Sequence, residues 1–290
     1  MTRFKALQGR TIPVKAGMVG TFLAAAVVCC MTASVAVGAP PPGGLVGLNG
    51  VAVSGGTVDS FDSSLGAYGG SNKSKAALVE SNGRVALYGG AALSGSVVST
   101  QGAISLASSA KVTGSVTAGG SVTNRGRVSG TVTRFAPSPA IVAPSVAACG
   151  PYSTATGITG GSFVYAPHRG NLEVVRGTVT LANGAYCFHN VLVGTGATLR
   201  VAGPVTIGLT GKWDTTTARI LNTTHVPTNL QITSSHAGGA GMVIGGGDNA
   251  YMTVVAPKTT VNIYKGPYFG TVLAGKLNLN AAPAVHVDLH

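Results

Sequence analysis

The sequence predicts an all-β protein: a single-stranded parallel β-helix, or solenoid, for which we expect a right-handed coil, after an N-terminal signal or anchor segment. The first observation is a repeat. Segment 85–98 recurs nineteen positions later as 104–117, and a third copy with a shorter turn follows. The second is a long series of three- to five-residue segments that alternate apolar and polar residues between glycines. Short strands at a period near twenty are typical of a chain that coils into stacked turns.

The three copies match at their apolar positions and at one glycine. The matched sets are Val85, Ile104 and Val122; Leu93, Val112 and Val128; Gly95, Gly114 and Gly130; and Val97, Val116 and Val132. In such a coil, each strand pairs with the strands one turn before and after it, about 4.8 Å away. We therefore expect the matched apolar side chains to stack inside, while Ser, Thr and Asn face water.

The N-terminal residues differ from the rest of the chain. Four basic residues precede an uncharged stretch at 16–39, which ends in small residues. This is the layout of an export signal, although the apolar stretch is also near the length of a membrane span. We expect 1–39 to be either a signal peptide or a membrane anchor, followed by a Pro/Gly-rich tether at 40–50.

Two strand-rich blocks follow the tether. The first covers 51–135 and the second 149–290. Between them, the segment 136–148 contains closely spaced prolines, which do not fit a central strand or a helix. We interpret it as a Pro-rich linker.

Two cysteines, Cys149 and Cys187, remain outside the leader. An exported chain enters an oxidising compartment, so the pair is first interpreted as one disulfide. Two buried free thiols are the alternative, and the spacing does not suit a zinc site.

The composition argues against a nucleic-acid binder. Only 9% of residues are charged, and the net charge of +12 includes four basic residues in the leader. The remaining basic residues are scattered, whereas a nucleic-acid binder needs a basic face. We expect a basic soluble surface, which favours anionic polymers of the cell envelope.

Several motifs resemble a bacterial envelope domain family of unknown function, from about residue 48 to the end. They are Ser54–Ser63, Gly66–Gly70, Asn82–Val85, Asn183–Phe188, Ala202–Ile207, Val255–Val261, Tyr268–Leu277 and His286–Asp288. Members of this family are similar to parallel β-helices, and some are fused to PilX-type pilus-assembly segments. The leader lacks the prepilin glutamate, so the resemblance does not imply a pilus protein. A looser similarity is to ice-binding β-helix proteins, but no regular threonine ladder is present.

Catalytic chemistry has few candidates. The chain has only 7 Asp and Glu residues, whereas β-helix lyases and hydrolases cluster acidic residues on one face. Asp59 and Asp62 could form an acid pair, but they lie in a Ser-rich turn, where bonds to the backbone are the simpler explanation. We assign no catalytic residue and expect no cofactor.

The C-terminal residues His286, Asp288 and His290 alternate, so one strand would place them on one face. Imidazole and carboxylate ligands suit a divalent transition metal. One strand edge supplies an incomplete shell, however, and a last strand frays. We expect no metal site, and these three residues are the candidates should one exist.

Together, these features predict a non-enzymatic, exported protein of the cell envelope, periplasmic or extracellular, with a structural or adhesin-like role. The alternatives are a polysaccharide-acting β-helix lyase or hydrolase, and an ice-binding β-helix protein. The expected partners are envelope polysaccharide or surface proteins, with no nucleic acid. Membrane contact would arise only through 16–39, if the leader is not cleaved.

Overall fold

The structure, a computed structural model, describes residues 44–245 and 250–290, and most of them lie in β-strands. The predicted leader 1–39 lies outside the described residues. The helical elements in the described part are three short 3-10 turns, Ser63–Leu65, Gly70–Asn72 and Pro227–Asn229. No helix there has the length and apolar character needed to span a membrane.

The strands of the first block are short and evenly spaced, and the block begins earlier than predicted, because β1 lies within the segment 40–50 that the sequence indicates as a tether. They are β1 Leu45–Gly47, β2 Gly50–Ser54, β3 Thr57–Phe61, β4 Lys73–Ser74, β5 Ala77–Ser81, β6 Arg84–Tyr88, β7 Ala92–Leu93, β8 Gly95–Ser99, β9 Ile104–Leu106, β10 Lys111–Val112, β11 Val116–Ala118, β12 Val122–Asn124, β13 Arg127–Val128 and β14 Val132–Thr133.

The second block has longer strands towards its end. They are β15 Ile158–Thr159, β16 Ser162–Ala166, β17 Asn171–Arg176, β18 Thr178–Leu181, β19 Gly184–Phe188, β20 Asn190–Val193, β21 Thr198–Val201, β22 Val205–Leu209, β23 Trp213–Asp214, β24 Arg219–Asn222, β25 Leu230–Ser234, β26 Gly238–Gly245, β27 Ala250–Tyr251, β28 Thr253–Tyr264, β29 Pro267–Phe269, β30 Val272–Asn280 and β31 Ala284–Asp288.

Most of these strands form long parallel sheets in three rows, while β4, β15 and β16 pair antiparallel with β3, β18 and β17. In the first block, β5, β6 and β7 pair with β8, β9 and β10 of the next repeat. We call the row of β5 the first row, that of β6 the second row and that of β7 the third row. The long strands β28 and β30 take part in both the first and the second row. The all-β, parallel-sheet prediction is confirmed.

The sequence repeat predicts the strand register. Val85 pairs with Ile104, and Val97 with Val116, as the nineteen-residue shift requires. The shortened third copy keeps the alignment, since Val132 pairs with Val116. The repeated glycine has a steric reason, because a Cβ on Gly114 would lie 2.4 Å from a backbone carbonyl oxygen in the turn before it.

The order of the blocks along the stack differs from their order in the chain. The last strands meet the first: β30 pairs with β1 and β2, and β31 pairs with β3. We call this contact the seam. The main hydrophobic core continues through it, with Val51 and Leu277 among its buried members. The two blocks therefore share one core.

The segment 134–157, which we call the strap, contains no strand and includes the predicted linker. It begins beside the last repeats of the first block and passes earlier ones in turn. The amides of Ala136 and Ser138 donate to the carbonyls of Ala118 and Thr100. The side chain of Asn82 then bonds both the amide and the carbonyl of Ile141, at 2.7 and 2.9 Å. The strap thus runs back along the first row.

The strap continues across the seam and ends on the second block. Its Val146 is buried with Val46, Val255 and Leu273, outward residues of the first row. Beyond them, Cys149 forms the predicted disulfide with Cys187, with a Cα–Cα distance of 5.6 Å. The strap carries the chain from one end of the stack to the other.

Candidate functional site

The first region with functional side chains lies on the third row, beside the seam. Register pairing aligns Tyr251 of β27 with Phe269 of β29, and Phe269 with His286 of β31. His286 in turn pairs with Asp59 of β3. Parallel pairing therefore places three rings and a carboxylate side by side on neighbouring strands.

The rings form a continuous stack. Those of Tyr251 and Phe269 are nearly parallel, with centroids 4.1 Å apart, and that of Phe269 stacks on His286 at 4.8 Å. Tyr68, from the loop 62–76, covers His286 at 3.7 Å. The imidazole thus packs against two aromatic rings, whose own centroids are 5.5 Å apart, and little of it is exposed.

Asp59 joins the loop to the strand. One carboxylate oxygen lies 2.5 Å from His286 Nδ1, and the other accepts a 2.6 Å hydrogen bond from the Tyr68 hydroxyl. Burial, and then the Asp59 carboxylate, raise the pKa of Tyr68. Lys73 lies over the Tyr68 ring, 4.5 Å from its centroid. A carboxylate, an imidazole and a phenol hold one another in place.

The other two acidic candidates, Asp288 and Asp62, hydrogen-bond different residues of the same loop. Asp288 is buried and accepts hydrogen bonds from the Ser63 amide at 3.0 Å and the Ser63 hydroxyl at 2.7 Å. Asp62 accepts from the hydroxyl and the amide of Ser64, and these bonds lower its pKa. Each carboxylate therefore has its own partners in the Ser-rich turn.

The proposed metal ligands do not share a site. The His286 side chain contacts Asp59 and that of Asp288 contacts Ser63, while His290 bonds Asp288 through its backbone amide. Within 44–245 and 250–290, no group of three His, Cys, Asp or Glu residues is arranged to hold a metal. We call Asp59, Tyr68 and His286 the clasp, because they fasten the loop 62–76 to the last strand.

The second region is the outer face of the second row. Register pairing places one outward residue from each strand in a line across both blocks. The line runs through Val164, Glu173, Leu192, Asp214, Val243, Asn262, Asn278, Ala52, Ala86, Ser105 and Thr123. From Asn262 onwards, all of these side chains are small or polar.

Asparagines of this face hydrogen-bond from strand to strand. Asn278 donates to Asn262 at 2.9 Å, and Asn190 donates to Asn171 at 3.0 Å. Such bonds fix the amides at the strand spacing of about 4.8 Å. Each pair therefore holds two amides in register on neighbouring strands of this face.

A groove of about 500 Å³ lies on this face, at the seam. Its floor includes Gly50 and Ala52 of β2. Its sides include Arg84 and Tyr88 of β6, and Lys276 of β30. Residues from both ends of the chain thus line one groove.

Sequence reasoning did not find this groove. Arg84 and Lys276 belong to different blocks, and the two motifs that contain them, Asn82–Val85 and Tyr268–Leu277, lie far apart in the sequence. They become neighbours only because the last strands stack on the first. A sequence signal for this groove would have to reveal which distant strands pair, and the local repeat carries no such information.

Comparison with known proteins gives no relative: no family model, curated protein or solved structure matches this chain.

Proposed function

We propose that this chain is an exported, non-enzymatic protein of the bacterial cell envelope or surface, with a structural or adhesin-like role. In this proposal it is a right-handed parallel β-helix, and its second-row face holds envelope polysaccharide. The observation that carries the proposal is the line of small and polar side chains that runs in register from Asn262 to Thr123 on that face. A polysaccharide also repeats its hydroxyl groups, so many weak hydrogen bonds can form at once.

Export is supported by the disulfide and by the sequence of the leader. Structural disulfides form and persist in oxidising compartments, and Cys149 is bonded to Cys187. The basic and then apolar segment at 1–39 has the layout of an export signal. The resemblance to the envelope domain family supports the same location.

A non-enzymatic role is supported by the clasp. Asp59 and His286 are an acid–base pair, but the rings of Tyr68 and Phe269 pack against the imidazole, and only 8% of His286 is exposed. A general base must come within hydrogen-bond reach of the proton that it removes. The clasp is therefore better suited to holding a loop than to meeting a substrate.

The test is binding of the mature protein to purified cell-envelope polysaccharide, measured by co-sedimentation and by glycan array. Thr260 is half-buried on the second-row face, whereas Thr113 is exposed after a third-row strand. Thr260→Trp should weaken binding at least fivefold, because a bulky ring interrupts the flat face. Thr113→Trp should leave binding unchanged.

Three results would contradict the proposal. One is the absence of binding to any envelope polysaccharide. Another is the release of reducing ends or unsaturated products, which would indicate an enzyme. The third is thermal hysteresis, which would indicate ice binding.

A further inference from the structure

We infer that the groove on the second-row face binds an acidic saccharide chain through its carboxylates. This inference rests on the proposed function and names the ligand class of the same face. It is carried by two cationic side chains that flank a glycine across three neighbouring strands.

Strand register sets the spacing of the two cations. Gly50 pairs with Arg84 on one side, and on the other Val51 pairs with Leu277, which places Lys276 level with Gly50. Neighbouring strands lie about 4.8 Å apart, so the two cationic residues are separated by about 10 Å. Gly50 lies between them, lines the groove and has no side chain.

The two cations have no acidic neighbour in the groove. Arg84 and Lys276 are both exposed, and no Asp or Glu is among the described residues that line it. The guanidinium of Arg84 can bind a carboxylate through two parallel hydrogen bonds, and Lys276 adds a compact charge. The groove is thus electrostatically complementary to an anion.

The remaining lining suits a saccharide rather than a small inorganic anion. Tyr88 is 43% exposed and follows Arg84 on the same strand, about 13 Å along it. Its ring offers an apolar surface and a polar end, while Ala52 and Ala86 form a low floor between. A volume of about 500 Å³ lies within the range of small-molecule sites.

Nucleic acid fits the groove less well. Binding of single strands uses a basic groove with several aromatic rings on which bases stack. Here one tyrosine and two cations line the groove.

The experiment is titration calorimetry of the full mature protein with an oligogalacturonate of defined length. The matched ligand is the methyl ester of the same oligosaccharide, which lacks the charge. We expect the ester to bind at least tenfold more weakly, and binding of the acid to weaken as salt is added.

The variants are Arg84→Gln and Lys276→Gln, with Arg127→Gln as the control. Arg127 is an exposed arginine on a third-row strand, away from the groove. Each groove variant should weaken binding of the acid at least fivefold, and the control should stay within twofold. Thermal melts of all three variants would check that they are folded.

The inference is overturned if the ester binds as well as the acid, or if the control loses as much affinity as the groove variants. It is also overturned if both groove variants bind like the wild type. If envelope polysaccharide binds and both Arg84→Gln and Lys276→Gln leave that binding unchanged, the proposed function stands while the groove inference fails. If oligogalacturonate binding depends on Arg84 and Lys276 while envelope polysaccharide does not bind, the groove inference stands and the proposed function fails.

Discussion

The Asp59 carboxylate hydrogen-bonds two side chains, that of Tyr68, 9 positions away in the sequence, and that of His286, 227 positions away. Both carboxylate oxygens are occupied, one by His286 and the other by the Tyr68 hydroxyl. The Tyr68 amide also donates to the Tyr251 hydroxyl at 3.1 Å. Buried polar groups are costly unless they are hydrogen-bonded, and this network meets that condition.

Tyrosine ionisation provides a test at this scale. Burial raises the pKa of five tyrosine hydroxyls in the folded protein: Tyr68, Tyr165, Tyr186, Tyr251 and Tyr268. An unfolded tyrosine ionises near pH 10, so above that pH the unfolded state loses protons that the folded state keeps. The free energy of unfolding should therefore be unaffected by these groups below about pH 9 and should fall as the pH rises beyond 10.

Two measurements check this expectation. Urea unfolding between pH 8 and 11 should give a declining midpoint. Absorbance of tyrosinate should show incomplete ionisation of the folded protein at pH 10.5, and a single transition near pH 10 in denaturant. Full ionisation of the folded protein near pH 10 would contradict the enclosed positions of these hydroxyls.

Among the elements, the strap is unusual because it is ordered without belonging to a sheet. Proline lacks an amide proton and fits poorly into central strands, so 134–157 cannot add a further strand. It is held instead by scattered bonds, by Ile141 and Val146 against the first row, and by the disulfide. Glu80, on the neighbouring first-row strand β5, is half-buried, and burial raises the pKa of its carboxyl.

Reduction of the disulfide tests how far the strap depends on it. The bond joins residues separated by 38 positions, and the chain-entropy model gives about 4 kcal/mol for a loop of this size. We expect a reductant to lower the free energy of unfolding by up to about that amount, measured in urea. The double variant Cys149→Ser with Cys187→Ser should be equally destabilised and should not respond to reductant. Equal stability of the oxidised and reduced proteins would show that the strap is held by its other contacts.

For the whole molecule, the seam makes the two blocks depend on each other. The ends of the stack lie within the sequence, at β14 and at β16, while the first and last repeats meet in the interior. Val51, Val85 and Leu277 share one buried core. Each block therefore covers strand edges and apolar side chains of the other.

Cleavage of the strap tests this dependence. Residues 137–140 are exposed, and a protease site inserted there would divide the chain between the blocks. Because strand pairing at the seam is extensive, the two fragments should elute together from a sizing column in native buffer and separate in urea. In the variant Leu277→Asp, a charge in the shared core should let the cleaved fragments separate without urea. Separation of the wild-type fragments in native buffer would mean that the strap, rather than the seam, joins the blocks.

The sequence predicts local pairing much better than distant pairing. Val85, Ile104 and Val122 align because they are successive copies of one pattern, and copies one turn apart must be neighbours in a parallel stack. The disulfide was predictable because two cysteines remained once the leader was set aside. The pairing of β2 with β30 as well as with β6 was not predictable, because β2 and β30 share no sequence motif. The clasp was also missed as a unit, because Tyr68 lies in an irregular loop whose path depends on Ser63 and Asp288.

The seam also decides where the protein can change in length. Gly44 and Leu289 both belong to it: the Gly44 carbonyl accepts a bond from the Val272 amide, and the Leu289 amide donates to the Phe61 carbonyl. A repeat gained or lost at either outer end of the stack is therefore an internal insertion or deletion, and it leaves the tether, the clasp and the groove where they are. The strap alone would have to lengthen or shorten to match. Such a protein can vary the length of its stack while the seam stays constant.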